Sequence, residues 1–325
     1  MILILTDPNS DTHSSIVQTE LTRRKEESVV FNPGLFPRSS TITVEIKNKK
    51  LVPTIIHNDK KIDLTKIKSI WIRRPTKFDL GSILKPEESS WIQNECNQLI
   101  RAIWANTNAL WVSKPANIRM ASLKISQLKM AVELGFRIPK FVITNNVERA
   151  TKFVESTSKG TIVKVLGEPA IYNKKRVATI YTHLITKKDR KFLGSVQYGP
   201  TFLQEFIKKK MDVRVTVIGK KIFAAGIDSA NYEKARIDFR RAEIFDLPHR
   251  TIDLPKNIKT ACIEMVQRFG LQFGAIDLLL TPDGKYVFLE INPNGQWLWI
   301  EWTTGLPLTD AICDLLTGKA RHNQV

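Results

Sequence analysis

The chain has 325 residues, 42% of them hydrophobic, with 50 basic against 32 acidic side chains and a net charge of +18. That length and composition give room for two or three domains with real cores and exclude a disordered chain. No apolar run approaches the ~18 residues of a membrane span. The apolar opening Met1 to Thr6 lacks a basic start and is too short for a secretion signal.

Three scattered cysteines, Cys96, Cys262 and Cys313, form no metal-ligand spacing and point to a reducing, cytoplasmic setting. The basic excess invites a nucleic-acid reading. Yet the lysines are spread along the chain in short clusters such as Lys47 to Lys50 and Lys208 to Lys210. There is no zinc-finger spacing, RNP-like aromatic motif or Arg-rich tail. An acidic partner, a nucleotide plus a Glu/Asp-rich substrate, explains the charge better; a merely solvated basic surface is the plainer alternative.

In chain order, Met1 to Thr6 reads as a buried strand and Ser14 to Lys25 as a helix. Ser28 to Asn32 is a second strand, and Thr41 to Ile46 with Leu51 to Ile56 form a hairpin. A strand at Ile67 to Ile72 and a helix from Pro86 to Asn106, with proline at its start, complete a small α/β domain. Then come a helix Ser122 to Leu134 stopped by Gly135, a strand Ile138 to Thr144, a helix Val147 to Ser156 and a strand Thr161 to Val165. A third unit from Thr201 holds strands at Phe202 to Phe206, Val213 to Ile218 and Lys221 to Ile227. Asp228 to Pro255 is polar and aperiodic, a loop lying over something. A helix Lys256 to Phe269, a hairpin and a helix Leu308 to Leu316 close the chain.

That last hairpin is the most informative segment. Thr281-Pro282-Asp283-Gly284 turns between two strand-like runs, Phe273 to Leu280 and Lys285 to Asn292. Side chains alternate along a strand, so Glu290 and Asn292 share a face, and Asp277 joins them across the hairpin. Two carboxylates and an amide are hard oxygen ligands suited to magnesium, which also leaves room for phosphate. An ordinary polar face is the alternative, but Asp277 lies within an apolar run where an unpaired acid is expensive.

Lys164, in the otherwise apolar Thr161 to Val165, either snorkels to water or meets an anion; a neighbouring phosphate favours the anion. Lys124 sits in the first turn of its helix. Gln204 and Glu205 interrupt an apolar strand that ends near Ile207 and offers polar groups to an adenine edge, or simply forms an edge strand. Asp212 and Arg214 share a face. Arg240 and Arg241 lie in the polar loop, and arginine clamps phosphate and carboxylate oxygens well. P-loop, dinucleotide-fold and serine-hydrolase motifs are absent.

The order Lys124, Lys164, Gln204-Glu205, Asp212-x-Arg214, Asp277, Glu290-x-Asn292 resembles the ATP-grasp ligases. Trp71-Ile72-Arg73-Arg74-Pro75, Ala225 to Ser229, Asp238-Phe239-Arg240 and Asn294-Gly295-Gln296-Trp297 make it look most like the graspetide synthetases, the microviridin-type peptide macrocyclases. The resemblance implies an α/β fold of α+β lobes: a pre-ATP-grasp domain over 1–114, a central ATP-grasp lobe over 115–200 and a C-terminal lobe over 201–325. It implies that Lys124 and Lys164 contact ATP phosphates, Gln204, Glu205 and the backbone near Ile207 read adenine, and Asp212 lies near the ribose. Asp277, Glu290 and Asn292 would hold magnesium, and Arg214 and Arg240 would stabilise the transferred phosphate and the acyl intermediate. The implied reaction activates Glu or Asp side chains of a precursor peptide as acylphosphates and joins them to Thr or Ser hydroxyls. Crosslinks to Lys, or addition of amino acids to a C-terminus, are its chemical neighbours. His183 and Asp238 are the candidates for a base, and a homodimer is implied. A nucleic-acid binder with a decayed nucleotide site is the rival from another class.

Overall fold

The computed structural model describes residues 1–167, 170–173 and 176–319. The chain opens on a four-stranded parallel sheet ordered Ser28–Phe31, Ile2–Leu5, Ser69–Ile72, Leu110–Val112. Ile2 to Leu5 are fully buried, as befits a central parallel strand covered on both faces. Ile2 and Ile4 pack with Val17 and Leu21 of the helix Thr12–Arg23, while Leu3 and Leu5 pack with Ile100 and Ile103 of Pro86–Ala105. The expected hairpin is the first part of a separate three-stranded sheet, Thr41–Lys47, Lys50–His57 and Lys60–Asp63.

The helix expected over Ser122 to Leu134 is Lys124–Glu133, and another helix, Pro115–Ser122, precedes it across a break at Leu123 with ψ 114°. Pro115 is the start signal for the first. The break makes Lys124 the first residue of a new helix. Gly135 follows the second with φ +77°, the left-handed conformation that ends helices.

A four-stranded antiparallel sheet runs His183–Leu184, Thr161–Lys164, Thr201–Glu205, Phe141–Thr144. Thr201–Glu205 is an interior strand here. A boundary at 200/201 therefore cuts this sheet, and the edge-strand reading of Gln204 and Glu205 does not hold. The hydrogen bonds of a strand, not its place in the sequence, decide its sheet.

The largest sheet has five antiparallel strands in the order His249–Thr251, Lys221–Ile227, Met211–Ile218, Phe273–Leu280, Tyr286–Asn292. Met211–Ile218 is buried at every position. One face carries Lys256–Arg268 and the two helices of 115–133; the other meets Trp297, Leu298 and the helix Leu308–Leu316. That last helix also packs on the N-terminal parallel sheet, where Ser69 Oγ donates to Leu316 O. Asp228 to Pro255 holds two short 3-10 turns and the strand His249–Thr251, and Phe239 packs on Trp299. No helix among the described residues is long and apolar enough to cross a membrane.

Candidate active site

Strand register assembles the centre. Arg214, Asp277 and Glu290 lie directly opposite one another on three adjacent strands, and Asn292 faces Ala275 two pairs further on. A β-bulge after Asp277 leaves Leu289 unpaired, a common device for re-aiming side chains near a site. Asn292 Nδ2 lies 3.2 Å from Asp277 Oδ2 and 3.3 Å from Glu290 Oε1. Lys124 Nζ donates to Glu290 Oε2 at 2.5 Å. Gln127 anchors this helix by donating to Ile291 O at 2.8 Å.

Burial pushes the Asp277 carboxyl up, against the pull of Arg214. Burial also opposes the charge on Glu290, but Lys124 and Lys164 outweigh it and hold that carboxyl below its usual range. Burial lowers the Lys164 ammonium against the attraction of Glu290. Two buried neighbours of opposite shift are the mark of a site that binds charge.

Arg214 Nε sits 3.2 Å from Asp277 Oδ1, yet Nε and Nη1 have no hydrogen-bond partner and are buried. Its guanidinium lies over Trp299 at 5.5 Å. Arg240 forks onto Asp238 through Nε at 2.8 Å and Nη2 at 2.6 Å. Burial works against the Asp238 charge, but Arg240 and the Thr182 N–H hold its carboxyl below the usual range. Asp212 accepts from Lys209 Nζ at 2.5 Å and from the Ser229 hydroxyl. Burial still raises its carboxyl. Gln204 is fully buried with neither amide atom satisfied.

Three cavities join these groups in a line. The innermost, about 50 Å³, lies between the middle and C-terminal sheets and is lined by Lys164, Gln204, Glu205, Ile207 and Asp212. The next, about 130 Å³, shares Lys164 and Asp212 with it and adds Arg214, Arg240, Asp277, Glu290 and Asn292. The third, about 740 Å³, shares Arg214, Arg240 and Asn292 with the second and opens between Arg74 and His13 on one wall and Trp299 and Trp302 on the other. Lys164, Gln204, Glu205, Ile207, Asp212, Arg214, Arg240, Asp277, Glu290 and Asn292 thus each line one of two adjoining chambers, and Lys124 joins them through Glu290.

The arrangement fits a nucleotide with a divalent cation. Orphaned buried donors on Arg214 and an orphaned amide on Gln204 call for partners, and two carboxylates with an amide oxygen suit magnesium. Among the described residues no cluster of three or more His, Cys, Asp or Glu side chains is placed to hold a metal, so a third donor beside Asp277 and Glu290 would come from the Asn292 amide next to them. Its amide would turn its oxygen inward to serve.

Several features escaped the sequence reading. Lys209 sits in a run of three lysines that looks like surface, but it is buried against Asp212. Tyr181 underlies Arg240 and Arg241. His183 lines none of the three cavities; it is half exposed and contacts Asp189 at 3.0 Å. Asp238 is committed to Arg240. Neither is placed as a free base. The segments 71–75 and 294–297 meet each other. Arg73 Nη1 donates to Asn294 Oδ1 at 2.9 Å, and Asn294 Nδ2 returns a bond to Arg73 O at 2.7 Å. The Arg73 guanidinium lies over the Trp71 and Trp297 rings at 5.4 and 5.1 Å.

Family comparisons agree along the whole chain. Residues 1–119 match the MvdD pre-ATP grasp domain and residues 121–316 the RimK-like ATP-grasp domain. No curated protein sequence matches. Among solved structures, macrocyclase MdnC from Microcystis aeruginosa MRC, bound with precursor peptide MdnA, is 28% identical with a TM-score of 0.86, over 97% of this chain and 99% of that one. A Chryseobacterium gregarium RiPP-associated ATP-grasp ligase, in complex with ADP and a leader and core peptide, is 27% identical with a TM-score of 0.91, over 100% and 98%. Macrocyclase MdnB from Microcystis aeruginosa MRC is 26% identical with a TM-score of 0.81, over 98% and 99%. The chain belongs to the RimK-like ATP-grasp ligases, with an MvdD-type pre-ATP-grasp domain ahead of the ATP-grasp domain.

Proposed function

We propose that this chain is an ATP-dependent peptide macrocyclase that forms ω-ester crosslinks in a ribosomally made precursor. The observation that carries this reading is the line of three cavities: a small chamber between two sheets, a centre of paired carboxylates and cations, and a large Arg-lined opening. Full-length similarity to two macrocyclases and a leader- and core-bound ligase supports it.

A peptide carboxylate oxygen attacks the γ-phosphorus of ATP, the bond to ADP breaks, and an acylphosphate forms. A Thr or Ser hydroxyl oxygen then attacks the acyl carbon, the bond to phosphate breaks, and the hydroxyl proton leaves with the phosphate. No enzyme nucleophile is needed, so the chain's part is to position and to neutralise charge. Lys124 and Lys164 hold phosphate oxygens, and Arg214 and Arg240 meet the transferred phosphate at the junction with the large cavity. Asp277, Glu290 and Asn292 would hold magnesium, which would supply further charge neutralisation. Gln204, Glu205 and the backbone near Ile207 take the adenine edge, with Asp212 toward the ribose.

The reading assigns the +18 charge to a nucleotide and an acid-rich peptide rather than to nucleic acid. Three free, buried cysteines support a cytoplasmic setting. A homodimer follows the resemblance. One ADP released per crosslink, with the crosslinks cleaved by mild base, tests the ester; base-stable crosslinks would mark amides to Lys instead.

Gln204 gives a sharper test. Its two amide atoms are buried without partners, so Gln204→Leu keeps or raises the stability of the nucleotide-free protein, by up to about 1–3 kcal/mol. The same change weakens ATP binding roughly tenfold. Thermal melting with and without ATP reads both; a destabilised nucleotide-free protein with unchanged ATP affinity would remove Gln204 from the site.

A further inference from the structure

We propose that Arg74 builds a second carboxylate subsite on the N-terminal wall of the 740 Å³ cavity, for an acidic side chain of the peptide other than the one being activated. This rests on the peptide-ligase reading above. Three arginines line the cavity: Arg74, Arg214 and Arg240. Arg214 lies beside Asp277 and Arg240 is forked onto Asp238. Among the described residues Arg74 has no ion-pair partner. The carboxylate on its own wall, Asp11, is buried and engaged by Arg73 and His13.

Adjacent arginines therefore have opposite fates. Arg73 turns inward and is buried, whereas Arg74 is exposed to the cavity. The Arg74 backbone is fixed at both ends: its N–H donates to Thr6 Oγ1 at 3.2 Å, and its carbonyl accepts from Asp7 N at 3.1 Å. Beside it the helix Thr12–Arg23 begins at the cavity wall, and its Asp11 side chain makes no capping bond. A helix start of this kind favours negative charge. Arg214, 8% exposed, brings unpartnered Nε and Nη1 to the same cavity. A peptide with one carboxylate at the arginine pair and a second some residues away would bridge the cavity. The substrate class is then a peptide with spaced acids, not one with a single Glu or Asp.

The test is binding of a fluorescently labelled Thr/Glu/Asp-rich peptide to the full chain with ADP and magnesium, read by anisotropy. Arg74→Gln weakens binding ~10-fold, within the range of a charge-assisted contact, and Arg74→Lys recovers most of it. With a peptide whose acids are all amides except one, wild type binds as weakly as Arg74→Gln, and the substitution has no further effect. A C-terminally amidated peptide behaves like the parent. An equal penalty on both peptides, a loss of ATP affinity in step with peptide affinity, or a penalty abolished by amidating the C-terminus each overturns the proposal. Binding is read without turnover, so this pattern in a protein that changes no peptide mass supports the subsite while removing the macrocyclase reading.

Discussion

Glu290→Gln lowers peptide-dependent ADP formation by about a thousandfold, the upper range for removing one preorganised electrostatic group. The carboxylate sits directly opposite Asp277, within 2.5 Å of Lys124 Nζ and in the field of Lys164 and Arg240. Glutamine keeps the shape and a hydrogen bond but leaves those cations facing one another across a buried site. It also takes a negative charge from the metal position. Single-turnover ADP release at increasing magnesium checks this. A variant rescued to wild-type rate by more magnesium would show Glu290 to be a weak ligand rather than the centre of the site.

Arg73→Met costs about 3–5 kcal/mol of folding stability, the range for breaking a buried ion pair by removing one partner. The Arg73 side chain is fully buried. It reaches Asp11 through two contacts of 3.4 Å and accepts no substitute for its bonds to Asn294 and Gly295. Its loss strands a buried carboxylate and three oxygens in the loop after the Asn292 strand. Burial alone would raise the Asp11 carboxyl, but His13 and Arg73 outweigh it and hold it at about 2. A depressed acid stabilises the fold above its ordinary pKa near 4, and the contribution fades as pH falls toward 2. Urea unfolding at a series of pH values should therefore show wild type losing about 2 kcal/mol more than Asp11→Asn between pH 4 and 2. Equal losses in the two proteins would mean that Asp11 is not held by this network.

Periodicity made most of the scaffold legible. Lys221–Ile227, Val147–Ser156 and Leu308–Leu316 occupy the spans their patterns predict. Alternation also put Glu290 with Asn292 and Asp212 with Arg214. Register between distant strands was not legible: nothing in the local pattern says that Arg214 sits opposite Asp277 or that Thr201–Glu205 joins the middle sheet. Lys209 hid in a charge run because burial depends on a partner, Asp212, that only the fold supplies. Leu123 hid a helix break because its backbone turn carries no Gly or Pro. Arg73 and Asn294, 221 residues apart, could be singled out by resemblance but not joined.

The most direct measurement is the mass spectrum of a Thr/Glu/Asp-rich precursor incubated with the full chain, ATP and magnesium, beside Glu290→Gln. Stepwise loss of water with wild type alone is the predicted result. A gain in mass by whole residues would contradict macrocyclisation in favour of amino-acid addition, and water loss undiminished in Glu290→Gln would contradict the site.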